Sequence, residues 1–175
     1  MRHIIYDLTI LIFFFSIFKS PVLALDKMIE SSAFVKRSLI IEDKRPDILK
    51  NYLLRYNSNL SDYSELIIER ADVYQIPWSL LPAISGVEST FCRHIPINSF
   101  NCWGWENGKT YFKNYEEAIE IVSRTLGKRY YARGLNNPFK IGPIYAPTSS
   151  SWGWKVNQFM EKIENYPILS DSIIL

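Results

Sequence analysis

The chain has 175 residues, enough for one domain with a core of useful size and little else. With 20 Lys and Arg against 18 Asp and Glu, it lacks the basic excess that a polyanionic partner demands, so nucleic-acid binding is not expected. Its excess is aromatic: Phe, Trp and Tyr make up 15%, including five tryptophans, which suits the apolar C–H faces of sugars as well as a protein core.

Arg2 precedes an apolar run from Ile4 to Phe18 that only Asp7 interrupts, and Lys19-Ser20-Pro21 and Val22-Leu23-Ala24 follow. This layout predicts a secretory signal at 1–24 with cleavage after Ala24, and hence an exported protein: periplasmic, wall-associated or secreted. The run is shorter than the roughly 20 apolar residues that span a bilayer. A retained N-terminal anchor is the alternative, and the only membrane association expected. Cleavage would leave 18 basic and 17 acidic residues.

Residues 25–45 read as a partly helical spacer with an apolar patch at Ser38-Leu39-Ile40-Ile41. The domain is expected over 46–168, with a tail at 169–175. Pro46 opens a helix running to about Tyr56. Asn57-Ser58-Asn59 breaks it, and Ser61 or Asp62 is expected to cap the next helix, in which Tyr63, Leu66, Ile67, Ala71 and Tyr74 share a face. Gln75-Ile76-Pro77 ends that helix, and the helix bearing Glu88 follows directly.

On a wheel at about 100° per residue, Leu80, Ile84, Val87 and Phe91 form one stripe, with Glu88 about 60° off its centre. A carboxylate on the rim of a buried stripe is poorly solvated, which pushes its pKa upward. An acid still protonated near neutral pH is what cleavage of a glycosidic bond requires. The competing reading is a glutamate that snorkels to water or caps a neighbouring helix.

From Arg93 to Tyr111 regularity is lost. Glu106-Asn107-Gly108-Lys109 carries the Asn-Gly signal of a tight hairpin, flanked by Trp103, Trp105, Tyr111 and Phe112. A helix is predicted from about Tyr115 to Tyr131, with Tyr115, Ala118, Ile119, Val122, Leu126 and Tyr130 on one side. Gly134, Asn136-Asn137-Pro138 and Gly142-Pro143 punctuate the next stretch. A final helix from about Ser151 to Tyr166 is expected to bury Trp152, Val156, Phe159, Met160 and Ile163, leaving Trp154 at the surface. The fold class expected is mainly α, a compact helical domain with one small β-hairpin beside a groove.

Cys92 and Cys102 lie ten residues apart, with only His94 nearby, which is a weak zinc signal. In an exported protein a disulfide is the better reading. It would tie the end of the Glu88 helix to the Trp-Gly-Trp segment. No metal and no cofactor is expected.

Four segments in order, ISGVESTF, SFNCWGW, FKNYEEAI and IYAPTSSSW…KV, resemble the bacterial glucosaminidase domain. These are the autolysin and flagellar-type endo-β-N-acetylglucosaminidases that cut peptidoglycan on a lysozyme-like fold. The resemblance spans roughly residues 61–166. It implies that Glu88 is the catalytic acid, that Tyr145 lines the same site, and that the partner is the peptidoglycan glycan strand, met by a monomer. Two features depart from the family's pattern. Family members often carry small residues where this chain has Cys92 and Cys102, and the hairpin region is short, leaving Glu106 as its only candidate second carboxylate.

Such a second group would activate water or stabilise an oxocarbenium-like centre. Glu106 could serve as that base, or be a solvated turn residue beside Asn107-Gly108. Glu116 and Glu117 open a helix, where they favour the positive end of its dipole. Without a second carboxylate, the substrate's own N-acetyl group can be the nucleophile, with Tyr145 helping to hold it. Phe100, Trp103 and Trp105 are the candidate sugar platforms, one tryptophan being expected inward and one toward the groove. The glycine between the tryptophans leaves room for close approach. Asn101 could bond an acetamido group or its own backbone. His94 is at most a rim residue. Beside the glucosaminidase stand a lytic transglycosylase or muramidase of the same fold, and a non-catalytic wall-binding module.

Overall fold

The computed structural model describes residues 43–167. The expected signal at 1–24, the patch at 38–41 and the tail at 169–175 lie outside the described residues. Six α-helices follow one another: α1 Arg45–Leu54, α2 Ser64–Tyr74, α3 Leu80–Ser89, α4 Tyr115–Thr125, α5 Pro138–Tyr145 and α6 Trp152–Glu164. The described part is mainly α, as its patterning predicts, and contains no strand.

α1 starts with Pro46 in its first turn, where a missing N–H does no harm, and buries Leu49, Tyr52 and Leu53. Neither Ser61 nor Asp62 caps the next helix. The chain already turns at Ser58, whose hydroxyl accepts from the Leu60 amide (3.2 Å) and starts a 3-10 turn over Asn59–Tyr63. Ser61 and Asp62 therefore sit inside helical backbone, and Ser64 donates to the Ser61 carbonyl at 2.8 Å. α2 then ends at Gln75 in the left-handed conformation.

α3 is the central element. Every residue from Leu80 to Gly86 is buried, so the predicted stripe is in fact a whole surface, with α6 packed along it and α2 and α4 touching it. Burying Leu80, Leu81 and Ile84 completely contributes about 1.5–3 kcal/mol each. Gly86 allows the contact with the Phe91 ring, since a Cβ there would lie 2.6 Å from it. Phe91 lies past the helix end and is packed among Tyr52, Tyr56 and Phe159, with ring centroids 5.7, 4.3 and 5.0 Å away.

Getting Phe91 inward requires a sharp reversal. Thr90, Phe91 and Cys92 all adopt positive φ (53°, 56° and 66°), which costs a non-glycine residue roughly 1–2 kcal/mol. Two devices hold the reversal. Ser89 accepts from the Cys92 amide (2.9 Å) and donates to the Cys102 carbonyl (2.7 Å). Cys92 and Cys102 sit at disulfide distance, their Cα atoms 4.6 Å apart. Reduction, or a double change to Ala, is expected to lower stability by about 2–3 kcal/mol in urea denaturation. An unchanged midpoint would mean that Ser89 and the Phe91 packing hold the reversal by themselves.

The predicted hairpin is absent. Glu106, Asn107 and Gly108 take three consecutive left-handed conformations (φ 53°, 57° and 78°), which coil the chain instead of pairing two extended arms. The Asn101 side chain replaces the missing ladder. Its Nδ2 donates to the carbonyls of Trp105 and Thr110 (both 3.0 Å), and its Oδ1 accepts from the Trp105 amide at 2.9 Å. One buried amide thus satisfies the backbone groups that a partner strand would have met.

α4 is capped by Asn114, which accepts from the Glu117 amide (2.8 Å), while Glu117 accepts from the Lys113 amide (2.6 Å). Glu116 and Glu117 occupy its first turn. The predicted long helix continues beyond Thr125, but as a π turn over Leu126–Tyr130 and a 3-10 turn over Tyr131–Arg133. Gly127 packs against the Tyr74 backbone, where a Cβ would lie 2.6 Å from its carbonyl oxygen, so α2 and this segment cross very closely. The stretch read as punctuation contains α5: Asn137 caps it by accepting from the Lys140 amide (3.0 Å), and Pro138 is its first residue. Gly142 and Pro143 lie within that helix. α6 buries Trp152, Val156 and Ile163, with Phe159 and Met160 half-buried and Trp154 58% exposed.

Candidate active site

Glu88 stands on the last turn of α3. The residue is exposed, yet Gly104 and the Trp152 indole crowd its carboxyl group. Burial pushes the Glu88 pKa above its ordinary value of 4.5, partly offset by a hydrogen bond from Trp152. The Trp152 indole donates to Oε1 at 2.7 Å. Oε2 faces Gly104 so closely that a Cβ there would lie 2.7 Å from it. The negative end of the α3 dipole also disfavours ionisation at this position. This arrangement can hold a carboxylic acid with a fixed direction and a raised affinity for its proton.

Tyr145, the last residue of α5, joins the same constellation. Its ring stacks on Trp152 with centroids 4.9 Å apart and planes 26° apart, and its hydroxyl donates to the Trp103 carbonyl at 2.6 Å. Burial pushes its phenol well above the usual range, and the nearby charge of Glu88 adds to this. The hydroxyl therefore works as a donor that fixes the backbone just before Gly104.

The two tryptophans of the loop divide their roles. Trp103 is fully buried, with its indole donating to the Leu81 carbonyl at 2.9 Å. Trp105 is half-buried and meets the Tyr145 ring edge-on, centroids 6.1 Å apart. Phe100 is turned onto Tyr115 (5.0 Å, 85°), behind the loop in a hydrophobic cluster. Asn101 has both ends of its amide committed to loop backbone, the second of the two roles open to it. Glu106 is exposed and accepts from the Thr110 hydroxyl at 2.9 Å, within its own turn. His94 is exposed. The structure thus links Glu88 to Tyr145 through Trp152 and Tyr145 to Trp105, and turns Phe100, Asn101 and Trp103 to supporting the loop.

Three contributors escape a sequence reading. Ser89 looks like an ordinary helix-end serine, yet it clasps both arms of the Cys92–Cys102 loop. Trp152 reads as core, and it is buried; its indole N–H is the polar handle that a buried tryptophan generally satisfies. Gly104 does leave room for close approach, but the group that approaches is Glu88.

A depression of about 750 Å³ between the ends of α1 and α6 is larger than those beside Trp105. Its one lining carboxylate, Glu161, is exposed and already accepts from Asn157 and Gln158. Size alone does not make it the better candidate.

The Trp152 bond gives a directional prediction. The indole N–H favours ionised Glu88, so Trp152→Phe should raise the Glu88 pKa further and move the alkaline limb of a pH–activity profile to higher pH. A limb that moves to lower pH would contradict the geometry. The change should also cost about 1–3 kcal/mol of stability as a buried large-to-small substitution.

No family model matches the chain, and neither a curated protein nor a solved structure does, so the functional reading rests on the residues and their geometry.

Proposed function

We propose that the chain is an exported, monomeric, cofactor-independent glycoside hydrolase that cuts the β-1,4 bond of peptidoglycan glycan strands, with Glu88 as general acid. The observation that carries this reading is the Glu88 carboxyl itself. It is raised in pKa by burial and fixed by the Trp152 indole, on which the Tyr145 ring stacks, and Tyr145 in turn meets Trp105 edge-on. The resemblance of four ordered segments to glucosaminidases supports the choice of substrate, and the lysozyme-like fold is proposed on the same ground. Glu88 would protonate the glycosidic oxygen as the bond to the leaving sugar breaks.

A lytic transglycosylase is the second reading, and one observation favours it. Among the described residues, no other carboxylate contributes to the shift at Glu88, and Glu106 is turned to Thr110. A lone acid suits a route in which the sugar closes on itself, or in which the substrate's N-acetyl group attacks. On either route Glu106→Ala should change activity less than about threefold. Tyr145→Phe should reduce it more, since the Trp103 carbonyl loses its donor at a cost of about 1–3 kcal/mol. If Glu106→Ala is as damaging as a change at Glu88, Glu106 is the missing base.

Digesting purified peptidoglycan with the protein and identifying the new ends by mass spectrometry tests the whole reading. New reducing N-acetylglucosamine supports a glucosaminidase, and reducing N-acetylmuramic acid a muramidase. An anhydro end marks the lytic route. Binding without any cleavage would point to a wall-binding module.

A further inference from the structure

Beyond Trp105, away from Glu88, the chain forms two adjoining depressions of about 460 and 530 Å³. Trp105, Thr125 and Arg129 line both; Arg133 closes one, and Arg124 and Lys128 the other. They continue the candidate site, because the Trp105 ring meets Tyr145 at 6.1 Å and Tyr145 stacks on the tryptophan that holds Glu88. Tyr130, beside Arg129, also lies against Tyr145, with centroids 6.5 Å apart.

What marks the cations here is their gathering: Arg124, Lys128, Arg129 and Arg133 all line the two adjoining depressions. Arg45 is paired with Asp43 and Asp72, and Arg70 with Glu69 and Glu120. Arg124 reaches Glu120 only at 4.0 Å, and that carboxylate already takes Arg70 and the Tyr74 hydroxyl. Among the described residues, Lys128, Arg129 and Arg133 are exposed and carry no ion pair to a carboxylate. Arg124, Lys128 and Arg129 line one depression and Arg129 and Arg133 the other, so like charges share each wall and repel. An anion in the groove would relieve that repulsion.

We propose that this basic groove seats a carboxylate-bearing branch of the glycan strand, so that the protein selects acidic, peptide-bearing strands over neutral polymers of the same sugars. The inference rests on the reading of the Glu88 site as a glycan site. The aromatic wall of Trp105 and Tyr130 offers sugar faces a surface, and the guanidinium forks of Arg129 and Arg133 match carboxylates. The chain as a whole is close to charge balance, at +2. Such a balance suits a polymer with separate acidic branches better than a continuous polyphosphate.

Binding measurements on full-length Glu88→Gln protein, which should bind without cutting, test this. The ligands are soluble peptide-bearing strands, the same strands with the peptides removed by an amidase, neutral chitin oligosaccharides, and polyphosphate. Peptide-bearing strands should bind about tenfold more tightly than the neutral oligosaccharides, and added salt should erase the difference. Adding Arg129→Gln or Arg133→Gln should collapse the same ratio, and Arg129→Lys should retain part of it. Equal affinity for acidic and neutral chains overturns this inference alone, as does a preference indifferent to both arginine changes. Polyphosphate binding more tightly than any strand would assign the groove to a phosphopolymer instead. Failure to bind any glycan removes the proposed function and this inference together.

Discussion

Glu88→Gln should lower glycan-cleaving activity by about 10²–10⁴-fold, the range typical of a general acid, without changing the fold. The amide oxygen can still accept from the Trp152 indole, and the shape facing Gly104 is kept. What disappears is the transferable proton. A folded variant that retains most of its activity would remove Glu88 from the chemistry, whatever its environment.

The same substitution has a second, thermodynamic signature. The folded protein holds the Glu88 proton more tightly than the unfolded chain does, because its pKa is raised above the ordinary value of 4.5. Below that value both states are protonated and the carboxyl has no effect on stability. As pH rises through the ordinary value and then the raised one, the unfolded chain ionises first, and the folded state is disfavoured by the difference. Glu88→Gln should therefore melt higher than the parent protein at neutral pH, and the advantage should vanish on acidification. Equal melting temperatures at all pH values would mean that water solvates the exposed Glu88 fully.

How much of this was legible in the sequence depends on the distance over which each determinant acts. The apolar periodicities of α4 and α6 and the proline of α1 are local signals, and they located those helices. The hairpin failed because Asn107-Gly108 encodes only a left-handed turn. The outcome of that turn was decided by Asn101, whose amide captured the backbone on either side. α5 is hidden because Gly142-Pro143 outweighs the Asn137-Pro138 start signal; an interior proline removes one bond and crowds the preceding turn, yet Pro143 lies within the helix. Glu88 was legible because it is a charge at the end of an apolar run. Of its partners, Tyr145 is reached only through the family resemblance and the polar role of Trp152 not at all, since both come from helices far along the chain. A pattern of residue types cannot specify that an indole from α6 points at a carboxylate on α3.

Gly104→Ala should be nearly as damaging to activity as a direct change in the acid, on the order of 10²-fold, through position rather than chemistry. Gly104 has φ +63°, and an added Cβ would lie 2.7 Å from Glu88 Oε2 and 3.4 Å from its carboxyl carbon. Either the loop lifts away from α3, pulling on the Tyr145–Trp103 bond, or the carboxyl swings and strains the bond from Trp152. Both outcomes move the proton donor relative to the aromatic wall. Backbone strain alone would be a competing explanation, because alanine is disfavoured at positive φ by about 1–2 kcal/mol. Gly108 separates the two. It belongs to the same loop and has φ +78°, yet an added Cβ there would meet nothing within 4 Å. Gly108→Ala should share the loss of stability and keep its activity, while Gly104→Ala should lose both. If the two variants are equally active in glycan cleavage, the close approach of Gly104 to Glu88 has no role in holding the acid, and the loop serves only the fold.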